Sequence, residues 1–312
     1  MKKRLPLIVI GALIFIAALV YFCFPLTQTD ISQLQNAENG SFIQLGRGTV
    51  QYECSGTPGG ETIVLVSGFS VPYYCWDPVV DLLAGQGYYV VRYNHYGRGL
   101  SGRISGKYTL DVFEEELSQV ITSLTLKEPV HIAGLSMGGL VAMRYAVDNP
   151  SHVKTLSLIS PAGYVMSDSF STKLVKTPVI GDFIMRVFGK PVLSKRNSSN
   201  LYEPEKYPEF QSQFEKQFGY RGFTEALLSS LRYTEFTNSP QTFKELGKTD
   251  IPVLVCWGRE DAVIPYEHTK SLLQDVKAAH LFTIEGAGHN SQYEKPGEVA
   301  YLIDSFIQQN LR

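Results

Sequence analysis

Past residue 40 the chain alternates between two hydrophobic rhythms. Continuous apolar runs without a polar face occur in ETIVLVSGF (61–69), YYVVRYN (88–94), VHIAGLS (130–136), VKTLSLIS (153–160) and IPVLVCWG (251–258). Runs of that length read as strands covered on both faces. FIQLG (42–46), TVQYEC (49–54) and HLFTIEG (280–286) are also strand-like. Elsewhere the apolar spacing lengthens to the helical period: CWDPVVDLLAGQG stopping at Gly87, TLDVFEEELSQVITSL, and MGGLVAMRYAVDN stopping at Pro150. Further helices are predicted near 266–277 and from Pro296. Strands alternating with helices predict an α/β architecture, a mostly parallel twisted sheet with helices on both faces.

The rhythm breaks between about 164 and 247. There the chain is rich in aromatics and helical in places (FIMRVFG, YPEFQSQFEKQFG, FTEALLSSLRYTEF), with no clear buried strand. We read this segment as a helical cap inserted between two α/β strands. The predicted organisation is a membrane anchor over 1–26, a polar connector over 27–40, core over 41–163, cap over 164–247 and core again over 248–312. Phe170, Phe183, Phe188, Phe214, Phe218 and Phe236 belong to the cap, which is expected over the carboxyl edge of the sheet, where open α/β sheets bind ligands. Most should hold the cap together and a few should line an apolar pocket.

The first residues follow a different pattern. Lys2, Lys3 and Arg4 precede a run from Leu5 to Phe24 without a charge, and the next charged residue is Asp30. A helix of that length spans about 30 Å, the hydrocarbon thickness of a bilayer. A cleaved signal peptide is the rival reading. Its apolar region is usually about 7–15 residues and ends at small residues, whereas this run ends VYFCFP with no A-x-A-like site. Phe22, just before Cys23, argues against a lipoprotein site. An uncleaved single-pass anchor is the expectation, with the basic residues cytoplasmic and the remainder on the outer side. For the rest, 28 Lys+Arg against 30 Asp+Glu gives a net charge of −2, with no basic block past residue 4. That excludes the electrostatic footprint of a nucleic-acid binder. Cys256 sits in an apolar run as a small hydrophobe, while pairing of Cys54 with Cys75 is left open. No C-x-x-C or close histidine cluster suggests a metal site.

The candidate chemistry begins in GLSMGG. Ser136 lies in G-x-S-x-G at the junction of a predicted strand and helix, the context that motif requires. A tight bend there leaves no bulk beside the serine, which accounts for Gly134 and Gly138, and the helix N-terminus favours developing negative charge. A serine hydroxyl needs a base, and usually an acid behind it, to become a nucleophile. His289 follows the last predicted strand in GAGHNSQYEKP, and Asp261 follows the preceding one in WGREDAVIP, with Glu260 its adjacent competitor. His95 and His131 are read as structural.

These three motifs, in this order and context, resemble the α/β-hydrolase superfamily over nearly everything after residue 40. SGFS (67–70) with GLSMGG resembles membrane-anchored monoacylglycerol lipases of the ABHD6-like type and their bacterial relatives. The resemblance implies a serine hydrolase with Ser136, Asp261 and His289 as catalytic residues. It further implies an oxyanion hole made by the backbone N–H groups of Phe69 and Met137. No cofactor is implied, and the partner is a small ester or lipid substrate. Two departures stand out. Ser67-Gly68 replaces the more usual His-Gly, and the loop commonly written D-x-R-G-x-G-x-S reads NHYGRGLS, departing in its opening residues, Asn94 and His95 among them. A C–C bond hydrolase of the meta-cleavage-product type shares triad and cap, and a non-catalytic binding protein could retain the fold. Oligomeric state is not legible.

The anchor generates the first prediction. The full chain should fractionate with membranes and resist release by high salt or carbonate. Soluble protein cut near residue 24, identified by N-terminal sequencing, means that the segment is a signal peptide.

Overall fold

The structure, a computed structural model, describes residues 28–37, 40–164, 169–235 and 238–311. The apolar stretch assigned as an anchor lies outside the described residues, as does Phe236. Among the described residues no helix is long and apolar enough to cross a membrane.

Strands β1 (Ser41–Leu45), β2 (Gly48–Gly56), β3 (Thr62–Val66), β4 (Tyr89–Tyr93), β5 (Val130–Leu135), β6 (Val153–Ile159), β7 (Val253–Gly258) and β8 (His280–Ile284) form one sheet of order β1-β2-β4-β3-β5-β6-β7-β8. β1 and β2 pair antiparallel, as does β2 with β4, and every pairing from β4 to β8 is parallel. The chain steps from β3 out to β4 and returns to β5 on the other side of β3. That reversal opens a crevice at the carboxyl ends of β3 and β5, where the crossovers leave in opposite directions.

The helices are α1 (Ile31–Ala37), α2 (Asp77–Gly85), α3 (Leu110–Ser123), α4 (Met137–Asp148), α5 (Phe170–Lys176), α6 (Ile180–Ser198), α7 (Pro208–Lys216), α8 (Phe223–Tyr233), α9 (Pro240–Leu246), α10 (His268–Asp275), α11 (Ser291–Glu294) and α12 (Pro296–Asn310). Alternate residues of β3 enter opposite layers: Val64 and Val66 pack with Phe113 and Leu117 of α3 and Leu140 of α4. Ile63 and Leu65 pack with Val79 and Leu83 of α2 and Ile303 of α12. Burial on both faces explains why β3, β5 and β7 read as uninterrupted apolar runs. Edge strand β8 alternates instead between exposed and half-buried positions. Thr109 caps α3, its side chain accepting from Val112 N at 3.3 Å.

α5 to α9 occupy the stretch between β6 and β7. Phe210, Phe214 and Phe223 are buried there and join the α2/α12 core layer. Phe170 and Phe188 are 82% and 51% exposed, so these two do not hold the helices together. The connector also differs from a plain polar link. It contains α1, and Thr29 exchanges backbone hydrogen bonds with Gly219 (2.8 Å) and Arg221 (3.0 Å), tying the segment to the loop before α8. Cys54, Cys75 and Cys256 are all free thiols. Cys54 faces Val91 across β2/β4 while Cys75 lies in the turn before α2, so the pairing left open by the sequence does not form.

Phe113 is fully buried and meets the His95 ring edge-on at 4.9 Å. Phe113→Ala is expected to cost about 3–5 kcal/mol, the lost transfer energy plus a cavity, in urea unfolding. A loss under about 1 kcal/mol means that the layer between α3 and the sheet collapses around the gap.

Candidate active site

Ser136 is the single residue between β5 and α4, with φ 55° and ψ −119°. A non-glycine residue at positive φ costs on the order of 1–3 kcal/mol and persists only where its surroundings fix it. Here they do. Ser136 N donates to Ile159 O at 2.9 Å, and its carbonyl accepts from Gly139 N (3.0 Å), Leu140 N (3.2 Å) and Ala162 N (3.0 Å). The glycines have a steric reason. A Cβ at residue 134 would lie 2.5 Å from Gly138 O, and one at residue 138 would lie 2.3 Å from Ser67 O. No side chain fits at either place.

Asp261 leaves the end of β7 and turns its carboxylate in two directions. Oδ1 accepts from Val263 N and Ile264 N, each at 2.8 Å. Oδ2 faces His289 Nδ1 at 2.8 Å. Burial alone would push the Asp261 carboxyl up, but the His289 ring and those two backbone donors together hold it below the usual carboxylate range. An ionised carboxylate on Nδ1 fixes the proton there and leaves Nε2 as the acceptor. Among the described residues no hydrogen bond links the Ser136 hydroxyl to His289; such contacts commonly tighten only with substrate in place. Glu260 is engaged elsewhere, accepting from Ala287 N at 3.1 Å.

The loop bearing His289 is held tightly. A Cβ on Gly258 would sit 2.0 Å from Gly288 O, so the end of β7 and this loop touch backbone to backbone. Glu294 accepts from Gly288 N and Tyr202 N, both at 2.7 Å. Sequence reading missed Glu294. Its position in α11, just behind the histidine, was the available signal.

Ser67–Phe69, leaving β3, lies beside the serine: a Cβ on Gly68 would be 3.5 Å from Ser136 Cβ. Met137 opens α4, and an N–H at the first position of a helix has no acceptor within the helix. Both segments named for an oxyanion hole therefore border Ser136. His95 is buried between Glu116 Oε2 (2.7 Å) and Ser67 O (3.1 Å) and braces this turn from behind. His131 pairs through Nδ1 with Thr155 Oγ1 at 2.8 Å, and burial pushes its ring down to about 4. Its Nε2 faces Glu61 Oε2 at 3.4 Å. Glu116 and Arg98, also buried, were not singled out from the sequence, because nothing in the local pattern of a helix and a loop marks them as interior.

A family model described as serine aminopeptidase, S33, matches residues 58–296. The chain is 25% identical over 265 residues to a monoacylglycerol lipase, abhd6-B, of Xenopus laevis, covering 82% of this chain and 78% of that one. An esterase from Thermogutta terrifontis superposes with a TM-score of 0.74 at 21% identity, over 86% of this chain and 99% of the other. A meta-cleavage product hydrolase from Pseudomonas fluorescens does so with a TM-score of 0.70 at 21% identity, over 86% and 98%.

The lowered Asp261 carboxyl generates a stability prediction. A group whose folded value lies below its unfolded one stabilises fully above the unfolded value, about 4, and loses that contribution as pH falls through the folded value. The stability gap between wild type and Asp261→Asn in urea unfolding should therefore narrow below about pH 4. A gap unchanged between pH 7 and pH 3 shows that the charge does not hold the loop.

Proposed function

Because the chain belongs to the serine aminopeptidase, S33, family of α/β-hydrolase enzymes, we propose that it is a serine hydrolase of carboxylic esters with an apolar acyl part. The observation that carries this reading is the 2.8 Å hydrogen bond from His289 Nδ1 to Asp261 Oδ2, at the same sheet edge as Ser136. In this reading His289 Nε2 takes the Ser136 proton as the hydroxyl oxygen attacks the ester carbonyl. Asp261 holds the ring in the required tautomer and stabilises its charged form. The N–H groups of Phe69 and Met137 receive the oxygen that becomes negative in the tetrahedral intermediate. The intermediate collapses with the alcohol leaving on a proton from His289, and water resolves the acyl-enzyme through the same base.

The apolar acyl part draws support from the likeness to a monoacylglycerol lipase. In this reading α5 to α9 form a cap over the site, and residues 1–26 anchor the chain in the bilayer, which brings lipid-like esters within reach. No cofactor takes part in this scheme.

Ser136→Ala should lower turnover of p-nitrophenyl esters by at least about 10³-fold and abolish fluorophosphonate labelling. Asp261→Asn should cost on the order of 10⁴-fold, and Glu260→Gln little. Labelling that survives Ser136→Ala, or faster turnover of aminoacyl anilides than of any ester, defeats the proposal.

A further inference from the structure

Arg98 is fully buried, yet among the described residues it bonds only to uncharged acceptors. Its Nε and Nη2 both donate to Phe69 O, at 2.9 and 2.6 Å, Nη1 donates to Tyr96 O at 3.0 Å, and Nη2 also reaches Ser230 Oγ of α8 at 3.0 Å. The guanidinium further lies 5.7 Å from the Phe69 ring centroid and 5.2 Å from that of Phe113. Burial pushes it down to about 10, which leaves it charged at neutral pH. Taking a cation out of water with no carboxylate hydrogen-bonded to it is costly, even with the Glu116 carboxylate near enough to favour the charge, so stability alone is a poor reason for it.

The acceptors indicate what that cost secures. Two of the four bonds converge on one carbonyl, that of Phe69, in the turn beside Ser136. The other end of the same turn is held by His95 on Ser67 O, and Glu116 behind His95 also accepts from Tyr96 N. Tyr96 in turn gives its carbonyl to Arg98. Ser67 to Phe69 is thus clamped at both ends by one buried polar network, while Gly138 of α4 presses on Ser67 O. A planar fork holds a carbonyl in both distance and direction, which a single-point donor does not.

Building on the ester-hydrolase reading above, we propose that Arg98 is a positioning residue for the oxyanion site. Its fork fixes the Phe69 backbone so that the Phe69 N–H stays aimed at the developing oxyanion, and its charge adds a favourable potential behind the turn. The bond to Ser230 makes α8 part of that support, so the cap holds the oxyanion turn as well as covering the site. Preorganised donors of this kind act in the transition state and little in the ground state.

The test compares wild type, Arg98→Met and Arg98→Lys, using kcat per site titrated with fluorophosphonate, KM for a p-nitrophenyl ester, and affinity for a trifluoromethyl ketone that adds to the serine. For Arg98→Met, kcat per titrated site should fall about 10²-fold and ketone affinity by a similar factor, with KM moving less than about threefold. Arg98→Lys, which retains the charge and loses the fork, should fall between. A merely structural role lowers the titratable fraction and leaves kcat per site and ketone affinity unchanged, and that result overturns the inference. If Arg98→Met does not fold, Arg98→Lys with wild-type turnover and ketone affinity overturns it alone. Absence of labelling and ester turnover in the wild type instead defeats the ester-hydrolase reading, and shows before any Arg98 variant is compared.

Discussion

The site rests on a contact in which backbone meets backbone. α4 begins so close to the end of β3 that a Cβ on Gly138 would lie 2.3 Å from Ser67 O and 2.4 Å from Val66 O. With hydrogen there instead, the serine bend and the turn after β3 settle against each other. The positive φ of Ser136 follows from the same crowding. The strand must reverse into a helix within one residue, and the strain is held by hydrogen bonds from β6 and the loop after it. Gly258 repeats this on the other side of the crevice, letting the end of β7 touch the loop of His289.

Strand order turns these local contacts into one site. Because β3 lies between β4 and β5, the segment leaving it borders the segment leaving β5. β6 separates β5 from β7, and the acid and histidine leave adjacent strands β7 and β8. Parallel pairing from β4 onward puts every one of these exits on the same edge. Neighbouring strands lie about 4.8 Å apart, so segments only a few strands away remain within side-chain reach.

Three buried ionisable side chains gather around the turn that follows β3. Glu116, His95 and Arg98 are each almost completely inaccessible, and their partners are mainly backbone carbonyls and N–H groups of that turn and the loop below it. Burial pushes the Glu116 carboxyl up, while His95 and the Tyr96 N–H oppose it. A low-dielectric surround strengthens each satisfied bond and penalises each missing one, so such a network fixes geometry more sharply than an apolar core of equal volume.

The linear sequence carries the alternation of strands and helices, the bend at Ser136 and the order of serine, acid and histidine. Each of these is written in consecutive residues: apolar runs mark covered strands, and glycines beside a serine mark a bend without room for bulk. It also favoured Asp261 over Glu260, from position after a strand, and these two side chains do take different partners. Tertiary structure alone decided the excursion to β4, the docking of Thr29 on the loop before α8, the free state of the cysteines, and the exposure of Phe170 and Phe188. It alone decided that Arg98 lies inside. Its acceptors Phe69 and Ser230 are 29 and 132 residues away along the chain, and no local periodicity encodes a partner at that separation.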